Sequence, residues 1–191
     1  MKRMILTSGL VLALTSPAWA GTSSSIVDQG SGLFNAANVD QTGSTADNAS
    51  VIAQSGDYSE ANVIQFDRDQ SSSILQSSSD DYAEVNQGDA TLALTDGSGG
   101  NTSYVEQAGS GGHSAYVTQI GIGSDSSVVQ NGDAQIVEVE QSGNGNSFVV
   151  TQAGGANYAG VWQLGDLNSV TYVQDGADNW LENYQSGNSN T

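Results

Sequence analysis

Glutamine recurs in this chain on a beat of eleven residues. Gln119, Gln130, Gln141, Gln152, Gln163, Gln174 and Gln185 follow one another at that spacing, and Gln41, Gln54, Gln65, Gln76 and Gln87 extend the series upstream with small slips. Asp96 stands where the next glutamine is expected, and Gln107 resumes the count. Fourteen units are read this way, with a further partial one at Gln29. A fixed short period constrains the fold before any local propensity does.

Aligned on glutamine, the units share a second rule. Two residues earlier the chain is aliphatic, as at Val63, Val117, Val139 and Val161; only Tyr172 and Asn183 break the pattern. Four residues earlier it is small or apolar (Ala61, Ser103, Phe148). Six earlier stand Asn146, Asn157, Asn168 and Asn179, or Ser59 and Ser124. Polar and aromatic residues such as Tyr116, Glu138, Glu140 and Trp162 fill the alternate positions. Alternation with period two predicts a half-buried β-strand of about six residues ending at each glutamine. A glycine two residues later, as in Gly143, Gly154 and Gly165, predicts the turn.

Eleven residues are too few for a βαβ crossover. The pattern predicts an all-β fold: a two-sheet parallel β-solenoid of about seven 22-residue rungs over 35–191, cross-β and amyloid-like. Strand n then lies over strand n+2. Gln119, Gln141, Gln163 and Gln185 form one column; Gln130, Gln152 and Gln174 form the other, with Gln41, Gln54 and Gln107 continuing them upstream. A lone buried amide loses water at a cost of a few kcal/mol, whereas stacked amides satisfy one another. Asn146, Asn168 and Asn190, with Asn157 and Asn179 on alternate strands, are expected to ladder in the same way.

Residues 1–20 read as a secretory signal peptide: Lys2 and Arg3, an apolar run, then "AWA" ending at Ala20. Beyond it Arg68 is the only basic residue against 21 acidic ones, a formal charge of −20. That balance argues against nucleic acid as a partner, and no later run is long and apolar enough for membrane insertion as a helix. With no cysteine and one histidine, neither a catalytic triad nor a thiolate metal site can be assembled. No enzymatic activity, cofactor or metal is expected. His113 falls at a strand start and is expected to substitute in a ladder. Gln-x-Gly-Asp occurs at Asp57, Asp133 and Asp166, which suggests weak calcium binding at most.

These motifs resemble curlin repeats, the units of curli amyloid fibres on bacterial surfaces. Asn146-x5-Gln152-x4-Asn157-x5-Gln163 and Asn168-x5-Gln174-x4-Asn179-x5-Gln185 fit the family pattern with asparagine in the serine place, and Ser59 and Ser124 keep the serine. The resemblance implies a secreted, self-polymerising subunit of a cell-surface fibre for adhesion and biofilm matrix. Its implied partners are a nucleator subunit and an outer-membrane export apparatus. It also implies an export-targeting segment at 21–34, matched by location only. Asp67, Asp69, Asp80 and Asp81 stand where acidic residues temper assembly in that family. The alternative is a monomeric secreted solenoid that binds surfaces, glycans or calcium, with Tyr104, Tyr116, Trp162 and Tyr184 as a surface for sugars. A calcium-responsive disordered protein is the third reading.

Overall fold

The computed structural model describes residues 12–15, 23–30, 32–41, 47–88 and 99–191. Its strands in chain order are β1 (Leu12–Thr15), β2 (Ser24–Gln29), β3 (Ala36–Asp40), β4 (Ala49–Gln54), β5 (Glu60–Gln65), β6 (Ser71–Gln76), β7 (Tyr82–Gln87) and β8 (Thr102–Gly111). They continue as β9 (Ser114–Ile120), β10 (Asp125–Asp133), β11 (Ile136–Ser142), β12 (Ser147–Gly155), β13 (Tyr158–Leu164), β14 (Ser169–Ala177) and β15 (Trp180–Ser186). Among the described residues there is no helix.

Even-numbered strands stack in order from β2 to β14 in one sheet, here sheet A, with β1 added at its edge. Odd-numbered strands from β3 to β15 form sheet B. Every pairing is parallel except that of β1, which runs antiparallel to β2. The chain folds back after each strand, as the period requires, and two strands complete one rung of the solenoid. The regular rung is 22 residues: Gln119 pairs with Gln141, and Gln141 with Gln163.

One unit departs from expectation. Asp96 lies outside the described residues, but the pairing passes over its unit: β6 pairs with β8, and β7 with β9. Gln76 therefore meets Gln107 across 31 residues. Had the Asp96 unit formed a rung strand, every later strand would have changed sheets. The Gln29 unit, read as partial, is a full strand within the proposed export segment, so the solenoid begins at Ser24 rather than Asn35.

Inward side chains stack in uniform columns. In sheet B the inner line runs Val63, Val85, Val117, Val139 and Val161, all buried; Ala61, Ala83 and Ala115 lie beside it. In sheet A, Ile52, Ile74, Val105, Val128 and Val150 face them beside Ser50, Ser72, Ser103 and Ser126. Small residues on both sheets keep the interior thin. Only near the C-terminal end do larger groups, Phe148 and Val137, take these positions. The four serine hydroxyls are buried without a hydrogen-bond partner, so part of the core is destabilising.

Candidate functional site

Glutamine side chains run unbroken through both sheets. In sheet A, Nε2 of Gln29 donates to Oε1 of Gln54 (3.0 Å), Gln54 to Gln76 (2.8 Å), Gln76 to Gln107 (2.9 Å), Gln107 to Gln130 (3.0 Å), Gln130 to Gln152 (3.2 Å) and Gln152 to Gln174 (2.7 Å). In sheet B the column is Gln41, Gln65, Gln87, Gln119, Gln141, Gln163 and Gln185, at 2.8 to 3.0 Å. The β-strand pleat aims each terminal glutamine inward, and the parallel register places like on like.

Each amide after Gln29 also works sideways. The remaining proton on Nε2 crosses the interior to a backbone carbonyl where the strand of the other sheet begins: Gln141 to Asp125, Gln152 to Ile136, Gln163 to Ser147. One carboxamide thus holds rung to rung and sheet to sheet, using both of its donors. Sequence periodicity predicts the first bond and gives no hint of the second.

The asparagines do not form the expected amide-to-amide stack. Asn146 Oδ1 accepts the backbone N–H of Asn168, while its Nδ2 donates to the carbonyls of Ser142 and Gly165. Asn157 likewise donates to Ala153 and Gly176. These side chains clamp the turn to the rung beyond it. Amide-to-amide bonds occur only at Asn179 to Asn157 and Asn190 to Asn168, where no further rung supplies a carbonyl.

The same corner positions hold residues that lie off the glutamine beat. Gln70 bridges Asn48 and Asn101; Asn101 continues to Ser124, and Ser124 to Asn146. On the other sheet Asp81 Oδ1 accepts the His113 N–H, and His113 Nδ1 accepts that of Gln135. His113 Nε2 lies 2.9 Å from the Ala108 carbonyl, so the Nε2–H tautomer satisfies both ring contacts. His113 is a ladder member, as its position predicts. Burial pushes the Asp81 carboxyl above its ordinary range, against opposing bonds from the Ser78 hydroxyl and the His113 N–H.

A third ladder edges the turns and was not anticipated from the sequence. Asn144 Oδ1 accepts the Ile122 N–H, Asp166 Oδ1 that of Asn144, and Asn188 Oδ1 that of Asp166. Asp57 similarly accepts from Leu33. Asp67, Asp69 and Asp80 sit at positive φ in turns, a conformation aspartate tolerates. Close stacking explains the turn glycine: a Cβ on Gly143 would lie 2.2 Å from the Gly165 carbonyl oxygen.

The glutamine bonds all donate toward the C-terminus, opposite to the bonds that the corner asparagines accept, and the column of sheet A leaves a polar group unpaired at each end. Toward the N-terminus Gln29 Oε1 is buried without a donor. Toward the C-terminus Gln174 and Gln185 donate only to the carbonyls of Tyr158 and Ser169, so each retains one unused N–H. Tyr116, Trp162 and Tyr184 share the outer face of sheet B, whereas Tyr104 lies on sheet A. No family model, curated protein or solved structure matches this chain.

Proposed function

We propose that the chain is the structural subunit of an extracellular amyloid-like fibre of the curlin-repeat kind, growing by end-to-end stacking and serving adhesion and matrix. One observation carries this reading: the complementary unpaired groups at the two ends of the glutamine ladder. The C-terminal rung offers unused N–H groups from Gln174 and Gln185, and the N-terminal rung offers the acceptor of Gln29. Placing β14 against β2 of a second copy, and β15 against its β3, continues both sheets in parallel and both columns in the same sense. Joining two C-terminal ends would set donor against donor and turn the strands antiparallel. The fibre is therefore polar, and each exposed edge templates the next chain.

The leader bears on when this happens. β1 lies within residues 1–20 and covers the free edge of β2, so cleavage after Ala20 would expose that edge once the chain is exported. The family resemblance supplies the export route and a nucleator as expected partners.

A monomeric secreted solenoid is the second reading. It is favoured by the last rung, where Asn183 Nδ2 donates to the Tyr172 hydroxyl at 2.8 Å in place of an aliphatic pair, in the manner of a polar capping repeat. Incubating purified chain 21–191 with thioflavin T, followed by fibre diffraction, separates the two. The fibre reading expects a dye response and a meridional spacing of about 4.7–4.8 Å. A folded β-rich monomer that persists at high concentration without fibres refutes it.

A further inference from the structure

Away from the ladders, the outer face of sheet B carries a groove of about 240 Å³ lined by Tyr116, Thr118, Glu138, Val139, Glu140 and Trp162. Three adjacent strands build it. Tyr116 on β9 and Trp162 on β13 stand on either side of β11, which supplies both carboxylates. Tyr116 pairs with Glu138 and Trp162 with Glu140, so strand spacing and this two-residue offset set their Cα atoms about 12 Å apart across β11. Glu138 pairs in register with Tyr116 on one side and Gly160 on the other.

Gly160 shapes the wall. A Cβ there would lie 2.8 Å from the Trp162 ring and 2.9 Å from the Tyr158 hydroxyl, so the missing side chain lets both rings fold into the Glu138 column. The Tyr158 hydroxyl donates to Glu138 Oε2 at 3.1 Å and holds the carboxylate in place. Burial, with that bond second, pushes the Tyr158 hydroxyl up to about 12.

The groove carries negative charge with no counter-charge of its own. Arg68 is the only basic residue after the leader, and among the described residues no basic side chain pairs with Glu138 or Glu140. Among those residues, too, no three His, Asp or Glu side chains converge to hold a metal ion. Two aromatic faces flanking two carboxylates suit an organic cation instead. The Trp162 ring leans over Gly160 into the row of Glu138, beside the place a cation would take over the carboxylates, and cation–π attraction acts within roughly 6 Å.

We propose that this groove binds a small alkylammonium cation, its charge over Glu138 and Glu140 and its alkyl groups against Tyr116 and Trp162. The site lies on the side of the solenoid, not at a stacking edge. It would stay open in a fibre as in a monomer, so it stands apart from the assembly reading.

The test uses chain 21–191 carrying Trp180→Phe, which leaves Trp162 as its only tryptophan. Titration with tetramethylammonium chloride, against sodium chloride at matched ionic strength, should give a saturable change in emission. Glu138→Gln/Glu140→Gln should weaken binding about tenfold with unchanged circular dichroism; Glu140→Gln alone, at an exposed position, should weaken it several-fold should the double variant misfold. An equal response to sodium, or unaltered affinity in the glutamine variants, overturns the proposal. So does saturation by an uncharged glucose oligomer with no response to tetramethylammonium, which would make the groove a glycan site.

Discussion

Gln76 donates its side-chain N–H to Oε1 of Gln107, a residue 31 positions further along the chain. The regular interval is 22, as between Gln119 and Gln141. The ladder passes over the extra length without a break. Deleting 90–98 restores the regular interval and leaves Gly88, Asp89, Gly99, Gly100 and Asn101 as a five-residue turn of ordinary length. The shortened chain should keep its β-sheet spectrum and gain about 1 kcal/mol from the smaller loop-closure cost. Loss of folded structure on deletion would mean that this segment is part of the solenoid.

Interior and terminal glutamines should fail differently. Gln141→Ala strands a buried donor on Gln119 and a buried acceptor on Gln163, at about 2–4 kcal/mol. Gln185→Ala strands only the Gln163 donor but removes the group an incoming chain would meet. Denaturant midpoints should fall further for Gln141→Ala. Relative to monomer stability, fibre elongation from seeds should slow more for Gln185→Ala. A normal growth rate for the Gln185 variant would place growth elsewhere.

Keeping residues 1–20 should block one edge. In chain 1–191, β1 occupies the hydrogen-bonding side of β2. Seeds of chain 21–191 should elongate poorly when fed the full chain and recover on proteolytic removal of residues 1–20. Equal elongation by both chains would show that β1 is displaced without cost.

Acidity should favour the folded rung around Asp81. Its carboxyl is raised by burial, so the charged form opposes folding: this penalty is absent below the ordinary carboxylate range and grows as pH rises through the raised value. Asp81→Asn preserves the acceptor for the His113 N–H and removes the charge. The variant should melt higher than the parent at pH 7, with the difference shrinking towards pH 4. Fibre formation should also be faster near pH 4, where the surplus acidic charge is partly neutralised. A variant that gains nothing at pH 7 would show that the hydrogen bonds of Asp81 outweigh its burial.

The serine column gives an opposite kind of test. Ser72 and Ser103 stack in register with buried hydroxyls that find no partner. Converting both to alanine should raise stability by about 1–2 kcal/mol, since an unsatisfied group is removed and little volume is lost. A fall in the denaturant midpoint would reveal a partner for these hydroxyls.

The fold was legible because one constraint repeats. A glutamine in each repeating unit, with an aliphatic residue such as Val139 or Val161 two residues before it, fixes strand, face and register together. What period and alternation could not reveal depends on direction in space. The cross-sheet bond from Gln141 to the Asp125 carbonyl depends on how two sheets face each other across a thin core. Gln70 and Gln135 were invisible because they serve at corners, off the beat, where asparagine usually stands. Asp96 misled for the opposite reason, fitting the count in a unit that the pairing passes over.

Because like stacks on like in both sheets, the fold is indifferent to how many units precede a given strand, but its outer faces are not. Duplicating 22 residues would lengthen the solenoid and leave every later side chain facing as before. Duplicating 11 would preserve the glutamine columns while transferring all later strands to the opposite sheet. Tyr116 upstream of such a duplication and Trp162 downstream of it would then look out from opposite sides. Length can therefore vary by single units without loss of the ladder, whereas any surface feature spanning several strands, such as the groove flanking β11, persists only through changes counted in pairs.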